Sequence, residues 1–481
     1  MDVFIKDNRT GRPLVGSLWP GDVYFPDFVT HPNASIWWRK CIQRFHRTIA
    51  FDGLWIDENE PTSFIEGSST GCANNQLNNP PFSPVSYSPI YKHTLCLDAD
   101  HFRGKHYEHH NAYAHHEAIH TANALQHSIP GRRAFVLSRS SAPGTGAHAA
   151  VWMGDTFSTW ESMNQSIIGM LDFNLFGIPW TGTDICGFEG EVSEELCLRW
   201  SQLGAFYPLS RNHNSNNAKT DQDPAAWSGN TTEAIRNVLL LRYSLLPYLY
   251  TLFFNAHMAG STVVKPMFFE FPADRTTHNM HDQFLWGSHL LITPILQPFT
   301  ESRMVYFPKG RWYNVLDGFK PISDDRSNRW LKAEIPHDSI GLFLRGGGVI
   351  PWQTPGESTT EQMTKSFGIT VAMDTNGVAD GSLFWDDGTD LRTIADKKYC
   401  VVKFQVENDR LTIHLDKEGC TALPTIARID ITGIQQKIER VVVNDVPYAT
   451  FVYSRRDSVL RITGLSIDLF SERQVIVQWS A

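Results

Sequence analysis

The sequence lacks the features of a membrane-spanning protein and of a nucleic-acid-binding protein. No apolar run approaches the roughly 20 residues that span a bilayer, and the first residues lack the basic-then-apolar layout of a signal peptide. The formal charge of −9 argues against nucleic acid or an anionic membrane as the main partner. We expect a globular protein of two to four domains, because 42% of its 481 residues are hydrophobic.

Several common catalytic signatures are also absent. There is no glycine-rich phosphate loop, no Gly-x-Ser-x-Gly motif and no closely spaced Cys and His set for zinc. His115, His116 and His120 could suggest a metal site, but the zinc-protease spacing is missing. We interpret these histidines as a solvated, partly packed helix face, and we predict no metal and no cofactor.

What the sequence does have is a short apolar strand that ends in carboxylates. The strand Gly53–Ile56 is followed by Asp57, Glu58 and Glu60, and Pro61 then prevents further strand pairing. In barrels and doubly wound sheets, catalytic groups are displayed at the carboxyl ends of strands. Asp57 is therefore the first candidate for a reacting residue. On this stretch alone, a solvated acidic turn is the alternative.

Strands with polar ends alternate with helical segments up to about residue 262. Residues 1–33 are predicted to be irregular, and 66–100 a long loop of the kind that is usually functional. We predict helices at about 36–45, 107–127, 160–171, 192–203 and 232–258, and strands at 53–56, 132–139, 176–184 and 203–214. This alternation is typical of βα units around a parallel sheet. Beyond residue 262, short strands separated by turns predict antiparallel β modules.

The strand ends carry groups suited to a sugar. Aromatic faces pack against the C–H groups of a pyranose ring, charged groups bind its hydroxyls, and two carboxylates can act on a glycosidic bond. The candidate residues are Asp57, Glu58, Glu60, Arg139, Asp155, Asp184, Arg211 and His213, with Trp55, Trp152 and Phe188 beside them.

The seven cysteines have two interpretations, which differ in the redox state of the compartment. Cys72 with Cys96, and Cys186 with Cys197, bracket loops that two disulfides would close in an oxidising compartment. Seven reduced, buried thiols in a cytosolic enzyme are the alternative. Under the first interpretation, three cysteines stay free: Cys41, Cys400 and Cys420.

Four Asn-x-Ser/Thr triplets would accept N-linked glycans if the chain enters the secretory pathway. They begin at Asn8, Asn33, Asn164 and Asn230. Such triplets often arise by chance. Together with the two disulfides they favour a lysosomal or extracellular location, although this chain shows no targeting signal.

The motifs resemble those of glycoside hydrolase family 31. Leu54-Trp-Ile-Asp57-Glu-Asn-Glu-Pro is similar to the family signature Trp-Ile-Asp-Met-Asn-Glu-Pro. The motifs that follow in the family's order are Ser138-Arg-Ser, Trp152-Met-Gly-Asp155, Gly182-Thr-Asp-Ile-Cys-Gly-Phe188, Ser210-Arg-Asn-His-Asn214, Leu285-Trp-Gly and Gly381-Ser-Leu-Phe-Trp-Asp-Asp-Gly388. The resemblance covers nearly the whole chain and is closest to eukaryotic lysosomal and intestinal α-glucosidases, whose cysteine pairs also agree with 72–96 and 186–197.

The resemblance implies a (β/α)₈ TIM barrel followed by two all-β (β-sandwich) domains. The expected boundaries are 1–263, 264–352 and 353–481. Family members carry an amino-terminal β-sandwich and the first barrel strands ahead of the position of Met1, so the barrel portion here would be the carboxy-terminal one. The missing amino-terminal portion would then be a partner of this chain, because an unclosed sheet leaves buried backbone groups unpaired.

The resemblance also implies a retaining exo-α-glucosidase that acts on maltose, malto-oligosaccharides or glycogen. Asp57 would be the nucleophile, kept ionised by Arg139, and Asp155 the acid/base, its proton retained through burial against Trp152. Retention predicts a carboxyl separation of about 5 to 5.5 Å. Of the remaining candidates, Arg139, Asp184 and His213 match the family's hydroxyl ligands, and Trp55, Trp152 and Phe188 match its pocket walls. Glu58 is a further expected substrate-binding residue, and Glu60 and Arg211 are expected to support the residues that contact the sugar.

The sequence departs from the family at a few positions. Glu58 replaces the usual Met, so either the adjacent like charges raise one carboxyl pKa or Glu58 turns toward a cation beside the leaving group. Ala147 and Val151 replace an Arg and a His in the loop that carries Asp155. The alternative functions are α-xylosidase or sucrase specificity, or an inactive glycan-binding or partner-dependent fragment.

Overall fold

The computed structural model describes residues 2–83, 88–322 and 327–481. The chain divides into two compact units. The first comprises Met1–Gly154, Phe176–Trp180 and Thr389–Leu391, and the second Asp155–Leu175, Thr181–Gly388 and Arg392–Ala481. Within the described ranges, no helix is both long and apolar enough to cross a membrane.

The first unit contains parallel strands covered by a helix. Its elements are β1 Val15–Leu18, β2 Gly21–Tyr24, α1 Ala34–Thr48, β3 Gly53–Ile56, α2 His106–His109, α3 Tyr113–Ser128, β4 Phe135–Ser138 and β5 Ala150–Trp152. Strand β3 pairs in parallel with β4, and β4 with β5. Ala118 and Leu125 of α3 pack on Ile56 and Val136, because the helix turns its small and apolar face to the strands. The strand at 53–56 and the first helix are thus confirmed.

Two predictions for the first unit were wrong. Residues 1–33 are not irregular throughout, since β1 and β2 form an antiparallel hairpin whose tight turn uses Gly21 at φ +100°. The helix predicted at 107–127 is interrupted, because α2 ends at His109 and α3 starts at Tyr113 after a 3₁₀ turn. Histidine and asparagine are weak helix formers, which is consistent with a break at this point.

The helical part of the second unit contains α4 Trp160–Leu175, β6 Thr181–Gly182, β7 Asp184–Ile185, α5 Glu194–Gly204, β8 Arg211–Asn212, α6 Gly229–Ser244 and α7 Leu246–Ala259. The strand predicted at 203–214 was wrong except for β8, because α5 extends to Gly204 and buried turns follow. The helix predicted at 232–258 is two helices that part at Leu245. Pro247 has no N–H with which to continue the ladder of α6.

The rest of the second unit is mostly antiparallel, as predicted. The elements that follow α7 are β9 Val264–Pro266, α8 Met267–Glu270, β10 Phe284–Trp286, β11 Leu290–Thr293, β12 Ser302–Phe307, β13 Trp312–Asn314, β14 Lys320–Pro321, β15 Arg329–Glu334 and β16 Gly341–Arg345. Six of these strands form a sheet of order β14-β13-β16-β11-β10-β9, and β12 pairs with β15.

The elements after β16 are β17 Gly348–Gln353, α9 Thr359–Gln362, β18 Phe367–Ala372, β19 Ala379–Trp385, β20 Cys400–Glu407, β21 Arg410–Lys417, β22 Ile426–Thr432, β23 Arg440–Val443, β24 Val446–Tyr448, β25 Phe451–Ser454, β26 Val459–Ile467 and β27 Gln474–Ser480. Their strands form an eleven-stranded sheet of order β24-β23-β27-β21-β20-β19-β17-β18-β22-β26-β25. Only β17 with β19 and β18 with β22 pair in parallel among its described strands. Its alternating apolar residues form a large core that includes Ile369, Phe404 and Val477.

The structure contains both predicted disulfides, Cys72–Cys96 and Cys186–Cys197. The expectation that Cys400 and Cys420 are free was wrong, because they form a third disulfide with a Cα separation of 5.2 Å. The antiparallel pairing of β20 with β21 brings the two cysteines together, a proximity that their spacing along the chain does not show. Cys41 is the remaining free thiol.

The four glycosylation triplets differ in accessibility. Asn8, Asn33 and Asn230 are exposed, whereas Asn164 lies half-buried within α4 with its Oδ1 atom shielded from solvent. Glycosylation at each of them stays a prediction, and the first three are the sterically suitable ones.

Candidate active site

In the first unit, the parallel pairing of β3 with β4 brings Asp57 and Arg139 together. Ile56 is in register with Ser138, and the Arg139 N–H donates to the Ile56 carbonyl at 3.2 Å. Arg139 Nη1 lies 3.4 Å from Asp57 Oδ1 and 3.5 Å from Glu58 Oε1, and its Nε lies 3.1 Å from Glu60 Oε1. One guanidinium therefore faces three carboxylates.

The three carboxylates differ in their access to solvent. The side chains of Asp57 and Glu60 are 33% and 35% exposed, but that of Glu58 is only 12% exposed. Burial raises the pKa of Glu58, and the negative charges of Asp57 and Glu60 add to this effect against the attraction of Arg139. Asp57 and Glu60 are thus accessible carboxylates beside the guanidinium, while Glu58 lies inward against it.

Two tryptophans of the first unit lie close to candidate carboxylates in the sequence, Trp55 two residues before Asp57 and Trp152 three residues before Asp155. Trp55 is 45% exposed, and Trp152 is 2% exposed. Their rings meet edge to face with centroids 5.5 Å apart. Trp152 thus supports Trp55 from within the protein, and Trp55 presents an aromatic face to solvent.

In the second unit, the pairing of β7 with β8 joins Asp184 to Arg211. The two residues are in register, and Arg211 Nη1 donates to Asp184 Oδ1 at 2.9 Å. The Asp184 side chain is fully buried, and that of Arg211 is 18% exposed. The carboxylate that Arg211 contacts here is fully buried, in contrast with the partly exposed carboxylates around Arg139.

Phe188 and His213 form an aromatic stack in the same unit. Their ring centroids are 5.3 Å apart with planes inclined by 24°. The Phe188 N–H donates to the Thr156 carbonyl at 2.7 Å, which fixes the backbone directly after Asp155. Asp155 itself is exposed, so the expectation that it is buried was wrong. The segment Gly154-Asp155-Thr156 is a loop rather than part of a packed strand, and its side chains reach solvent.

Sequence patterns missed a pair of exposed aromatic side chains in the first unit. Trp19 at the turn of the β1–β2 hairpin is 79% exposed and meets the 44% exposed Phe64 edge to face, with centroids 4.9 Å apart. The Phe64 N–H donates to the Ser17 carbonyl at 2.8 Å, which ties the segment after Pro61 to the hairpin. Recognition of Trp19-Pro20-Gly21 as a hairpin turn would have revealed this pair, but the segment was predicted to be irregular. Asn59 lies within the acidic stretch, and no role was predicted for it from the sequence.

No group of three or more His, Cys, Asp or Glu side chains is arranged to hold a metal ion in the described part of the chain. The histidines of the first unit form hydrogen bonds instead. His101 bonds Asp27 at 2.7 Å and His106 at 3.1 Å, and His106 bonds His110 at 3.1 Å. His115 bonds Thr145 Oγ1 at 3.0 Å, and His120 bonds the Phe28 carbonyl at 3.0 Å. The interpretation of a partly packed helix face agrees with these contacts.

Comparison with known families places two regions of the chain. Residues 1–252 match the model of the glycosyl hydrolases family 31 TIM-barrel domain, and residues 260–350 match that of the family's C-terminal domain. The chain is 42% identical to lysosomal alpha-glucosidase of Rattus norvegicus over 99% of its own length and 51% of the relative. It is 43% identical to intestinal sucrase-isomaltase of Homo sapiens over 99% of its own length and 26% of the relative.

Solved structures agree with the fold. The alpha subunit of glucosidase II with alpha3-Glc2 bound superposes with a TM-score of 0.87 at 24% identity, over 100% of this chain and 52% of that one. The chain spans about half the length of the lysosomal relative and of this structure.

Proposed function

Because the chain belongs to glycoside hydrolase family 31, we propose that it is a retaining exo-α-glucosidase. It releases terminal, non-reducing α-1,4-linked glucose from maltose, malto-oligosaccharides or glycogen by double displacement. The observation that carries this proposal is the accessible Asp57 carboxylate, held at the end of β3 beside the Arg139 guanidinium. The proposed boundaries of the barrel and the two β domains are 1–263, 264–352 and 353–481.

Asp57 is the proposed nucleophile. Its carboxylate attacks the anomeric carbon as the bond to the leaving oxygen breaks, which gives a covalent glycosyl–enzyme intermediate. Arg139 holds the attacking carboxylate in place, because its Nη1 atom lies 3.4 Å from Asp57 Oδ1. Exposure of Asp57 leaves it accessible to a sugar.

Asp155 is the proposed acid/base. It gives its proton to the leaving oxygen in the first step and takes a proton from the attacking water in the second. The hydrogen bonds of Thr156 O with the Phe188 and Glu189 N–H groups support a fixed orientation for the segment that carries it. Asp155 is exposed in this structure, so its side chain is accessible to a sugar.

The remaining candidates would bind the sugar. Exposed Trp55 and the Trp19–Phe64 pair offer aromatic faces to ring C–H groups. Arg139 and His213 supply hydrogen-bond donors for hydroxyls. Asp184, with Arg211 behind it, is the proposed hydroxyl acceptor of the second unit, and Phe188 and Trp152 are proposed pocket walls.

The linkage is the finer part of the proposal. The 43% identity to a sucrase-isomaltase favours α-1,6-glucoside or sucrose cleavage as a second candidate. Glu58 in place of Met is the sequence feature that would alter the leaving-group preference. We also propose a secretory route to a lysosomal or extracellular location, supported by three disulfides in the structure and three exposed glycosylation triplets.

The test is hydrolysis of an aryl α-glucoside by the 481-residue chain, with the first-formed anomer followed by NMR. We expect α-glucose as the first product, and losses of at least about 10³-fold for both Asp57→Ala and Asp155→Ala. Asp172→Ala is the matched control, because Asp172 is an exposed aspartate on α4. Absence of hydrolysis by the folded, unmodified chain, or β-glucose as the first product, contradicts the proposal.

A further inference from the structure

A buried carboxamide ties together the ends of the two strands that carry Asp57 and Arg139. Asn59 is 2% exposed. Its Nδ2 donates to Ser138 Oγ at 2.9 Å, and its Oδ1 accepts from the Ser140 N–H at 2.8 Å. These two partners are the chain neighbours of Arg139 on either side. Asn59 therefore fixes, through these two hydrogen bonds, the backbone segment that carries the Arg139 side chain.

The hydrogen bonds of this carboxamide permit only one orientation. The Ser140 N–H is a donor, so it requires the oxygen of Asn59. Ser138 Oγ donates its own proton to the Ser140 carbonyl at 2.7 Å, so toward Asn59 it acts as an acceptor. A carboxylate at position 59 has no N–H to donate, and an apolar side chain leaves buried polar groups unpaired.

Glu117 on α3 interacts through its carboxyl group with the Asn59 side chain. Burial raises the pKa of Glu117 to about 8, and the charge of Glu60 adds to this effect, whereas Asn59 opposes it. Below that pH Glu117 is a neutral acid, so it adds no fourth negative charge behind the cluster.

We propose that Asn59 is a positioning residue for the reaction, whose carboxamide holds Arg139 against Asp57, and that Glu117 anchors this carboxamide. The inference rests on the proposed function and deepens it. The 3.4 Å contact between Arg139 and Asp57 is near the limit of an ion pair, and Arg139 also has Glu58 and Glu60 within reach. The position of the Arg139 backbone therefore determines which of the three carboxylates its guanidinium contacts most closely.

The first unit offers a matched control in Asn78. It is fully buried, its Nδ2 donates to the Ala73 carbonyl at 2.8 Å, and its Oδ1 accepts from the Leu97 N–H at 2.7 Å. Asn78 thus has the same chemistry and the same burial in the same unit, but no contact with the neighbours of Arg139 among its hydrogen bonds.

The experiment compares Asn59→Asp with Asn78→Asp in the 481-residue chain, with an aryl α-glucoside as substrate. Both changes keep the side-chain volume and remove the amide donor, so both are expected to lower the melting temperature. Only Asn59→Asp should lower kcat and kcat/KM together, by about 100-fold per folded molecule, as a misplacement of about 1 Å at a catalytic group does. If the two variants have the same kcat per folded molecule, Asn59 is merely structural.

Glu117 supplies a second pair of variants in case Asn59→Asp does not fold. Glu117→Gln keeps an oxygen acceptor for the Asn59 amide and should retain kcat within about twofold. Glu117→Ala removes the carboxyl group that interacts with that amide and should lower kcat about 10-fold. Equal kcat values for the Gln and Ala variants overturn the anchoring role.

A crystallographic measurement separates this inference from the proposed function. If the unmodified chain hydrolyses no α-glucoside, the proposed function fails on its own. The contact between Arg139 Nη1 and Asp57 Oδ1 can still be measured in crystals of the unmodified and Asn59→Asp chains. We expect it to lengthen beyond the ion-pair range in the variant, and an unchanged distance overturns the inference.

Discussion

The Arg139 cluster of the first unit and the Arg211 pair of the second unit use the same residue types with opposite balance. Arg139 faces three carboxylates, and Asp57 among them is a third exposed. Arg211 contacts Asp184, whose side chain is fully buried. The first arrangement keeps carboxylates partly exposed at the surface, whereas the second holds a carboxylate inside.

This difference indicates how each arrangement contributes. An accessible, incompletely neutralised carboxylate is available to react with a sugar. A fully buried carboxylate must keep its cation, because an uncompensated buried charge is strongly destabilising. We therefore expect changes around Arg139 to affect mainly activity and changes around Arg211 to affect mainly stability.

The largest expected effect is on the stability of the second unit. Arg211→Met removes a cation that contacts the fully buried Asp184 carboxylate, so the free energy of unfolding should fall by about 3 to 5 kcal/mol. Chemical denaturation measures this change. The double variant Arg211→Met/Asp184→Leu is the control and should recover much of the loss. If Arg211→Met alone leaves stability unchanged, the contrast between the two arrangements is lost.

The next effect concerns the disulfide next to Asp184. Replacing Cys186 and Cys197 with Ala should lower the free energy of unfolding by about 3 kcal/mol. The disulfide closes a short loop in the unfolded chain, and its removal restores the conformational entropy that the closed loop takes away. Replacing Cys41, the free thiol, with Ala is the matched control and should cost less. Urea titration of both variants provides the comparison, and equal losses would speak against a specific contribution of the disulfide.

Arg139→Met changes the cluster of the first unit and should affect activity rather than stability. Removal of the guanidinium leaves three neighbouring carboxylates without this cation, so the charge that holds the Asp57 side chain in position is lost. We expect kcat/KM for an aryl α-glucoside to fall by about 100-fold while the melting temperature changes little. Arg12→Met, at an arginine outside the cluster, is the control. A large loss of stability with unchanged kinetics per folded molecule would reverse the assignment.

The smallest expected effect is the pH-dependent contribution of Glu58. Burial raises its folded-state pKa above the ordinary 4.5, so the ionised side chain costs stability once the pH exceeds this raised pKa. Glu58→Gln should therefore stabilise the chain at pH 7, by less than about 1 kcal/mol, and should have no such effect near pH 4. Thermal unfolding at the two pH values measures the difference. The exposed Glu233→Gln is the control, and equal behaviour of the two variants contradicts the prediction.

Local patterns predicted the elements that lead directly to Asp57. The helix α1 and the strand β3 follow from an amphipathic run and from an apolar run stopped by charges and proline. The hairpin of β1 and β2 was missed, because its stability comes from Phe25 and Leu14 packing in a core with distant residues such as Leu95. The strand predicted at 203–214 failed for a similar reason, since tertiary burial of that apolar run overrides its extended appearance.

The sequence alone determined the family, the order of its motifs, the identity of the candidate carboxylates and the presence of β modules, because these depend on residue type and local spacing. Only the tertiary structure decided which charges share a guanidinium, that Cys400 meets Cys420, and that Asn59 bridges two strand ends. Those facts depend on the register between strands that are far apart in the chain, and no local pattern of side chains encodes such a distance.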